Sequence, residues 1–261
     1  MENEIGKICA EGFSFFGMTN RLISHELKNI LAIISETSGL IGELVELSEA
    51  GKELKPGRLS SLSESIIEEV QRANTIIRNM NTFAHSVDEL IREVDVNRTV
   101  NLMIELCKLN SVSKNVNLRL MDNEACAIYT SPFFLQNLLY HGINFSLCFA
   151  DPQREIKVSI DSDSNEVRII FSGISCNTIE ELTEKAGLLA KMLSAKVLLD
   201  ATAQELSIVL PKKIDESPLH GLISERSKYC VWIWENKPNR ATHVFSHTLL
   251  PIMAMRSILS E

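Results

Sequence analysis

A pentapeptide near the amino terminus combines side chains that could transfer a group by nucleophilic attack: His25-Glu26-Leu27-Lys28-Asn29. A neutral imidazole can attack phosphorus with one ring nitrogen, while a neighbouring carboxylate such as Glu26 accepts the proton of the other nitrogen and fixes the tautomer. On a helix, Asn29 lies one turn beyond His25, where its amide could position a water or an attacking oxygen, and Lys28 could help to neutralise a phosphate. Taken alone, the same residues would also suit an ordinary polar strip on a solvated helix.

The surrounding residues predict a long helix that presents His25 to solvent. Between residues 15 and 47, apolar side chains recur at steps of three, four and seven, which is typical of one seam of a helix. At about 100° per residue, His25 is turned by about 200° from the seam residue Ile23. The seam residues are Ile23, Leu27, Ile30, Ile34, Ile41 and Leu44.

A second long helix follows a short connection. The first helix should stop at Ala50-Gly51, residues 51–57 read as a loop, and Ser60 or Ser61 could cap the next helix. Two such helices form an antiparallel hairpin whose wide apolar stripes cannot both be buried within one copy. We therefore expect a homodimer that forms a four-helix bundle. The second seam is predicted to run for about eight turns, through Leu62, Ile66, Val70, Ala73, Ile77, Met80, Ala84, Val87 and Ile91.

The pattern changes after residue 93 and predicts a second domain. Its order is helix, strand, helix, two strands, helix and two strands, which favours an α/β sandwich with helices on one face of a mixed sheet. The predicted helices are 97–109, 132–149 and 179–193, and the strands are 116–121, 155–160, 166–171, 196–199 and 205–210. The fold class is thus α+β, with a helical-hairpin domain at 1–93, an α/β domain at 94–213 and an extension at 214–261. The extension could pack on the second domain and contains a predicted strand at 229–234.

The pentapeptide, in this setting, resembles the H-box of sensor histidine kinases, which reads histidine, acid, apolar, basic, then threonine or asparagine. The resemblance covers about residues 10 to 211. It implies that His25 is the phosphoacceptor, Glu26 its acid/base partner and Asn29 the position that supports phosphatase activity. Ile30 stands where many members have a proline. The implied partner is the receiver domain of a response regulator, docking near residues 33–37 and 75–83.

The same resemblance identifies the second domain as an ATPase-like domain that has lost its nucleotide contacts. Asn137 matches the first asparagine of the family's N-box, but His141 replaces the second, and magnesium prefers hard oxygen ligands. Phe171 replaces the aspartate that would hold the adenine amino group, and an unpaired buried donor costs about 1 to 3 kcal/mol. Of the glycine-rich loop that would cradle phosphates, only Gly187 precedes Leu188. We expect a pseudokinase without a cofactor. ATP and magnesium, with Asn137 as a contact, belong only to the alternative of a divergent kinase.

Composition excludes several other classes. The net charge of −8 and a pI of about 5.4 argue against nucleic-acid binding, which needs a basic face. No apolar run approaches the roughly 20 residues of a membrane helix, so a cytoplasmic protein without a membrane partner is expected. No metal site is predicted because the six cysteines lie far apart without a paired motif: Cys9, Cys107, Cys126, Cys148, Cys176 and Cys230.

Several functions remain open at this point. The leading interpretation is a phosphorelay histidine phosphotransferase that exchanges a phosphoryl group between His25 and a receiver aspartate. The alternatives are a divergent ATP-dependent histidine kinase, a scaffold that docks on receiver domains or kinases, and a receiver phosphatase that acts through Asn29.

Overall fold

The computed structural model describes residues 2–53, 55–121 and 124–215. The helices in this part of the chain are α1 (Glu2–Glu49), α2 (Pro56–Ala84), α3 (Val96–Leu106), α4 (Lys108–Ser113), α5 (Pro132–Cys148) and α6 (Glu180–Met192). The strands are β1 (Arg92–Asp95), β2 (Asn117–Leu120), β3 (Ala127–Thr130), β4 (Glu155–Ser162), β5 (Glu166–Ser172), β6 (Lys196–Asp200) and β7 (Glu205–Pro211). Beyond Asp215, the predicted extension and its strand at 229–234 lie outside the described residues.

The chain separates into two compact units, whose limits differ from the predicted domains. One unit is Gly17–Phe83, and the other joins residues 2–16 to the described residues from Ala84 onward. Residues 2–16 therefore belong with the α/β unit, although the sequence assigned them to the hairpin. The reason is packing, because Ile8, Cys9 and Phe15 are buried.

The hairpin unit has the two predicted helices, with corrected ends. Gly51 terminates α1 in a left-handed conformation (φ 83°), and two backbone bonds close the turn, Gly51 N–H to Ser48 O at 2.9 Å and Lys52 N–H to Leu47 O at 3.0 Å. The second helix begins at Pro56 rather than at Ser60 or Ser61, since proline suits the first helical position, where its missing N–H would have no partner.

The predicted extension of α2 to Ile91 is wrong. The helix ends at Ala84, a single 3-10 turn covers His85–Val87, and the chain then becomes β1. This strand pairs antiparallel with β3, with Val94 opposite Ile128. Its backbone groups are satisfied across the pair, so the helical spacing of Val87 and Ile91 does not decide the local structure. The sequence predicted neither β1 nor β3.

The α/β unit contains a mixed five-stranded sheet in the order β2-β4-β5-β7-β6. The β2–β4 pair is parallel and the other pairs are antiparallel. Alternate side chains of β4 and β5 are buried, which gives the sheet one covered face. Helix α5 approaches that face closely at Gly142, where an added Cβ would lie 3.1 Å from Ile208 Cδ1. The predicted fold class, a helical hairpin followed by an α/β domain, is confirmed.

Candidate functional site

Helix α1 carries His25 on its exposed side. Ile23 and Ile30, members of the predicted seam, are buried, and the His25 imidazole is exposed. The alternation follows from helical geometry, because a residue two positions after a buried one points to the opposite side. The imidazole is thus accessible to a macromolecular partner.

An amide holds one nitrogen of that imidazole. Asn29 Nδ2 lies 3.3 Å from His25 Nδ1, one helical turn away. An amide has a donor end and an acceptor end, so Asn29 can serve either neutral tautomer by presenting its NH₂ group or its carbonyl oxygen. The structure therefore brings two of the three proposed catalytic residues together, and Nε2 is the nitrogen that faces away from this contact.

The third residue, Glu26, points elsewhere. Its Oε1 accepts a hydrogen bond from Arg72 of α2, and Arg72 also lies 3.4 Å from Glu69. The Glu26 side chain is 14% exposed, against 47% for Arg72. Successive helix residues are about 100° apart, which directs Glu26 to α2 while His25 faces solvent. No contact among the described residues joins Glu26 to His25, and its role as proton acceptor stays a prediction.

Asn137 and Phe171, the two residues that the sequence analysis compared with nucleotide contacts, lie in the core of the α/β unit. Phe171 is fully buried, and its ring lies against Gly142, where an added Cβ would be 3.5 Å from Phe171 Cε2. Asn137 is also fully buried, and its two amide atoms have no hydrogen-bond partner among the described residues. The Phe171 ring is a hydrocarbon and offers no hydrogen-bond acceptor within this core.

The beginning of α1 packs on α5 within the same unit. The Phe15 ring lies between Phe133 and Tyr140, with centroids 5.6 and 5.3 Å away. Glu11 Oε1 lies 2.8 Å from His141 Nε2, and the His141 side chain is 10% exposed. His141, which the resemblance places at the second N-box position, thus has a carboxylate of the chain itself as its neighbour. Sequence reasoning missed this segment, although the spacing of Ile8, Gly12, Phe15 is that of a helix face.

Several groups outside these sites have defined environments. His85 Nδ1 lies 2.7 Å from Asp88 Oδ2. Backbone hydrogen bonds from Asn165 and Glu166 lower the pKa of Asp163 in the β4–β5 turn. Burial raises the pKa of Cys107 to about 12 and also raises the pKa of Cys9.

The described residues contain neither a candidate metal site nor a candidate membrane span. No group of histidine, cysteine and carboxylate side chains in that part of the chain could hold a metal ion. Nor is any helix there both long and apolar enough to cross a membrane.

Comparison with known proteins gives matches among solved structures alone. No protein-family model and no curated protein matches the chain. It is similar to a structure described as a bacterial phosphotransferase, at 12% identity and a TM-score of 0.43, over 76% of this chain and 95% of that one. It is also similar to histidine kinase AdeS of Acinetobacter baumannii, at 12% identity and a TM-score of 0.40, over 72% of this chain and 96% of that one. For the catalytic domain of histidine kinase ThkA, the values are 16% identity, a TM-score of 0.40, and 48% and 99% of the two chains.

Proposed function

We propose that this chain is a histidine phosphotransferase-like protein of a two-component phosphorelay. It exchanges a phosphoryl group between His25 and an aspartate of a receiver domain. The observation that carries the proposal is the exposed His25 imidazole with the Asn29 amide 3.3 Å from its Nδ1, on a helix that buries Ile23 and Ile30 on its other side.

The transfer needs little from the protein beyond a correctly held imidazole. His25 Nε2 attacks the phosphorus of an aspartyl phosphate, the bond from phosphorus to the aspartate oxygen breaks, and the carboxylate keeps that electron pair. During attack the ring proton resides on Nδ1, and accepting it requires the Asn29 amide to turn its carbonyl oxygen, in place of the Nδ2 that lies 3.3 Å away, toward that nitrogen. The same contacts serve the reverse transfer, from phosphohistidine to a second receiver.

The α/β unit contributes a docking or structural module in this proposal, with no cofactor of its own. Two features of its core support that role. Phe171 leaves no acceptor for an adenine amino group, and His141 is occupied by Glu11. These features disfavour the kinase alternative, because phosphoryl transfer from ATP requires the nucleotide and its metal to be held by several polar groups at once.

The proposed partners are a second copy of the chain and a receiver domain. Within the hairpin unit, Ile33, Leu40 and Leu47 recur every seven residues along α1 and are partly exposed, as are Val70 and Ile77 on α2. Seven-residue spacing is typical of a helix that packs against another helix. A homodimer through the hairpin would cover these side chains, and we place the receiver near residues 33–37 and 75–83.

The test is phosphoryl transfer from purified receiver domains. Receivers of the same organism, phosphorylated with a radioactive label, are mixed with the full chain, and the labelled peptide is identified by mass spectrometry. We expect label on the peptide that contains residue 25 and its loss in His25→Gln, with Ser24→Ala, an exposed neighbour, as the matched control. Absence of transfer from every receiver would overturn the proposal.

A calorimetric titration with ATP and magnesium separates the kinase alternative. We expect no binding at millimolar nucleotide. Micromolar binding followed by labelling of His25 from ATP would instead establish a divergent kinase.

A further inference from the structure

A second histidine has a carboxylate where His25 has an amide. His85 opens the 3-10 turn His85–Val87 of the α/β unit, between α2 and β1. Its Nδ1 lies 2.7 Å from Asp88 Oδ2, and the two side chains are 68% and 48% exposed. The pair is local, three residues apart, and open to solvent.

The backbone that carries this pair is fixed. The turn packs against α5, and Ser86, the residue after His85, is fully buried. The turn also closes through a backbone bond from Asp88 N–H to His85 O at 3.4 Å. A buried residue next to an exposed one anchors the chain, so the imidazole projects from a defined position.

The three histidines of the described residues differ in which nitrogen is engaged. His25 has an amide on Nδ1, and His141 has a carboxylate on Nε2 and is largely shielded. Within that part of the chain, His85 combines a carboxylate on Nδ1 with an exposed ring. A carboxylate accepts the Nδ1 proton, which leaves the Nε2 lone pair for a reaction partner and stabilises the positive ring that forms on attack.

We propose that His85 is a second phosphoryl acceptor, separate from His25, and that Asp88 is its positioning residue. The substrates are phosphoryl compounds with a good leaving group, namely phosphoramidates and acyl phosphates. The proposal rests on the His85–Asp88 geometry and does not depend on transfer at His25.

The reaction with phosphoramidate requires no other reagent. Nε2 of His85 attacks phosphorus, the phosphorus–nitrogen bond breaks, and its electron pair leaves with the already protonated nitrogen as ammonia. The ring then carries the phosphoryl group on Nε2 and a proton on Nδ1 shared with Asp88. No electron is transferred, and no metal or nucleotide is consumed.

The experiment is chemical phosphorylation of the full chain with potassium phosphoramidate, with sites assigned by phosphopeptide mass spectrometry under alkaline work-up. Free imidazole, treated in parallel, shows that the phosphoramidate is reactive under the same conditions. We expect label on the His85 peptide in the natural chain and in His25→Gln, and its loss in His85→Gln. The largely shielded His141 serves as an internal reference that should label far more slowly.

Asp88 is tested with a matched pair of variants. Asp88→Asn and Glu89→Gln each remove one negative charge from neighbouring exposed residues. Asp88 is the residue of this pair whose carboxylate lies against His85 Nδ1, so Glu89→Gln controls for the loss of charge alone. We expect Asp88→Asn to slow labelling of His85 roughly tenfold, Glu89→Gln to leave it unchanged and Asp88→Glu to restore much of it. Imidazole nitrogen chemical shifts should show the Nδ1–H tautomer in the natural chain and a mixture in Asp88→Asn.

Two results would overturn the proposal. One is an unlabelled His85 peptide while free imidazole reacts. The other is equal labelling rates in Asp88→Asn and Glu89→Gln, because the carboxylate would then contribute nothing. Neither result bears on His25, whose role is decided by the receiver assay.

Discussion

Two exposed imidazoles in this chain are held through Nδ1, one by an amide and one by a carboxylate. The Asn29 amide can serve either tautomer of His25, whereas Asp88 favours a single tautomer of His85. The two sites therefore differ in how strongly the ring is prepared for attack. At His25 the amide contact is the one to perturb, because Glu26 is engaged by Arg72.

Replacing Asn29 tests that contact. Asn29→Ala should slow phosphoryl transfer to His25 by up to about tenfold, since one hydrogen bond contributes about 0.5 to 1.5 kcal/mol. Asn29→Asp should retain transfer, because a carboxylate still accepts the Nδ1 proton. Single-turnover rates with a phosphorylated receiver provide the measurement, and an unchanged rate in Asn29→Ala would show that the amide is not used.

Asp163 gives a residue-scale prediction about pH. Its pKa is lowered in the folded chain by hydrogen bonds from the backbone N–H groups of Asn165 and Glu166. A carboxyl whose folded pKa is lowered stabilises the fold above its unfolded pKa, and this contribution is lost as pH falls through the folded pKa.

Asp163→Asn is the matched variant, because its carbonyl oxygen can accept the same backbone bonds without titrating. We expect the difference in free energy of unfolding between the natural chain and the variant to shrink from neutral to strongly acidic pH. Urea denaturation at a series of pH values measures it. A difference that does not change with pH would contradict the assigned cause.

At the scale of elements, α1 has two roles along its length. Its residues 2–16 belong to the α/β unit, whereas the stretch from Gly17 carries His25 in the hairpin unit. In the first stretch the buried Phe15 contacts two aromatic rings of α5, while in the second the Arg72–Glu26 pair joins α1 to α2. The same helix is therefore stabilised by aromatic packing in one unit and by its hairpin partner in the other.

Phe15→Ala should release the first stretch from α5. Truncating a buried phenylalanine costs about 3 to 5 kcal/mol. Cys9 is buried with a raised pKa, so its thiol should react slowly in the natural chain and much faster in Phe15→Ala.

Alkylation followed by residue-level mass spectrometry reports the change. Cys107, buried with a pKa of about 12, is the internal control and should stay protected in both proteins. Phe13→Ala removes a partly exposed ring of the same helix and should have a smaller effect on Cys9. If Cys9 stays protected in Phe15→Ala, the aromatic contact does not hold this segment.

At the scale of the whole molecule, the hairpin unit has more apolar surface than one copy buries. Leu40 on α1 and Ile77 on α2 are 43% and 40% exposed. Large exposed apolar side chains at seven-residue spacing favour association of helices. A dimer would also place two copies of His25 in one particle.

Leu40→Glu should weaken that dimer. Fully burying a leucine contributes about 1.5 to 3 kcal/mol, and the 43% of Leu40 that is still exposed would gain roughly that fraction of it once in each copy, so the dissociation constant should rise by about tenfold or more. Leu31→Glu is the matched control, because nine residues at about 100° each place Leu31 on the opposite side of α1. Sedimentation equilibrium measures both variants, and a natural chain that is monomeric at every concentration would refute the predicted dimer.

Much of the architecture was contained in the sequence by itself. Periodicity predicted the two long helices, α3, α5, α6 and all five strands of the mixed sheet, because burying one side of an element imposes its period on the apolar residues. The offset of His25 from the Ile23 seam likewise predicted its exposure. The replacement of aspartate by Phe171 was visible in the sequence because a hydrocarbon ring cannot accept a hydrogen bond in any fold.

Only the tertiary structure decided where the remaining residues belong. The pairing of β1 with β3 overrode the helical spacing of Val87 and Ile91, and the attachment of residues 2–16 to the α/β unit depends on aromatic rings far along the chain. The partners of Glu26 and His141 were equally hidden, because Arg72 and Glu11 reach them through packing rather than proximity in sequence. Local periodicity reports which side of an element is buried, whereas the partner of a polar side chain is set by the three-dimensional arrangement of distant elements.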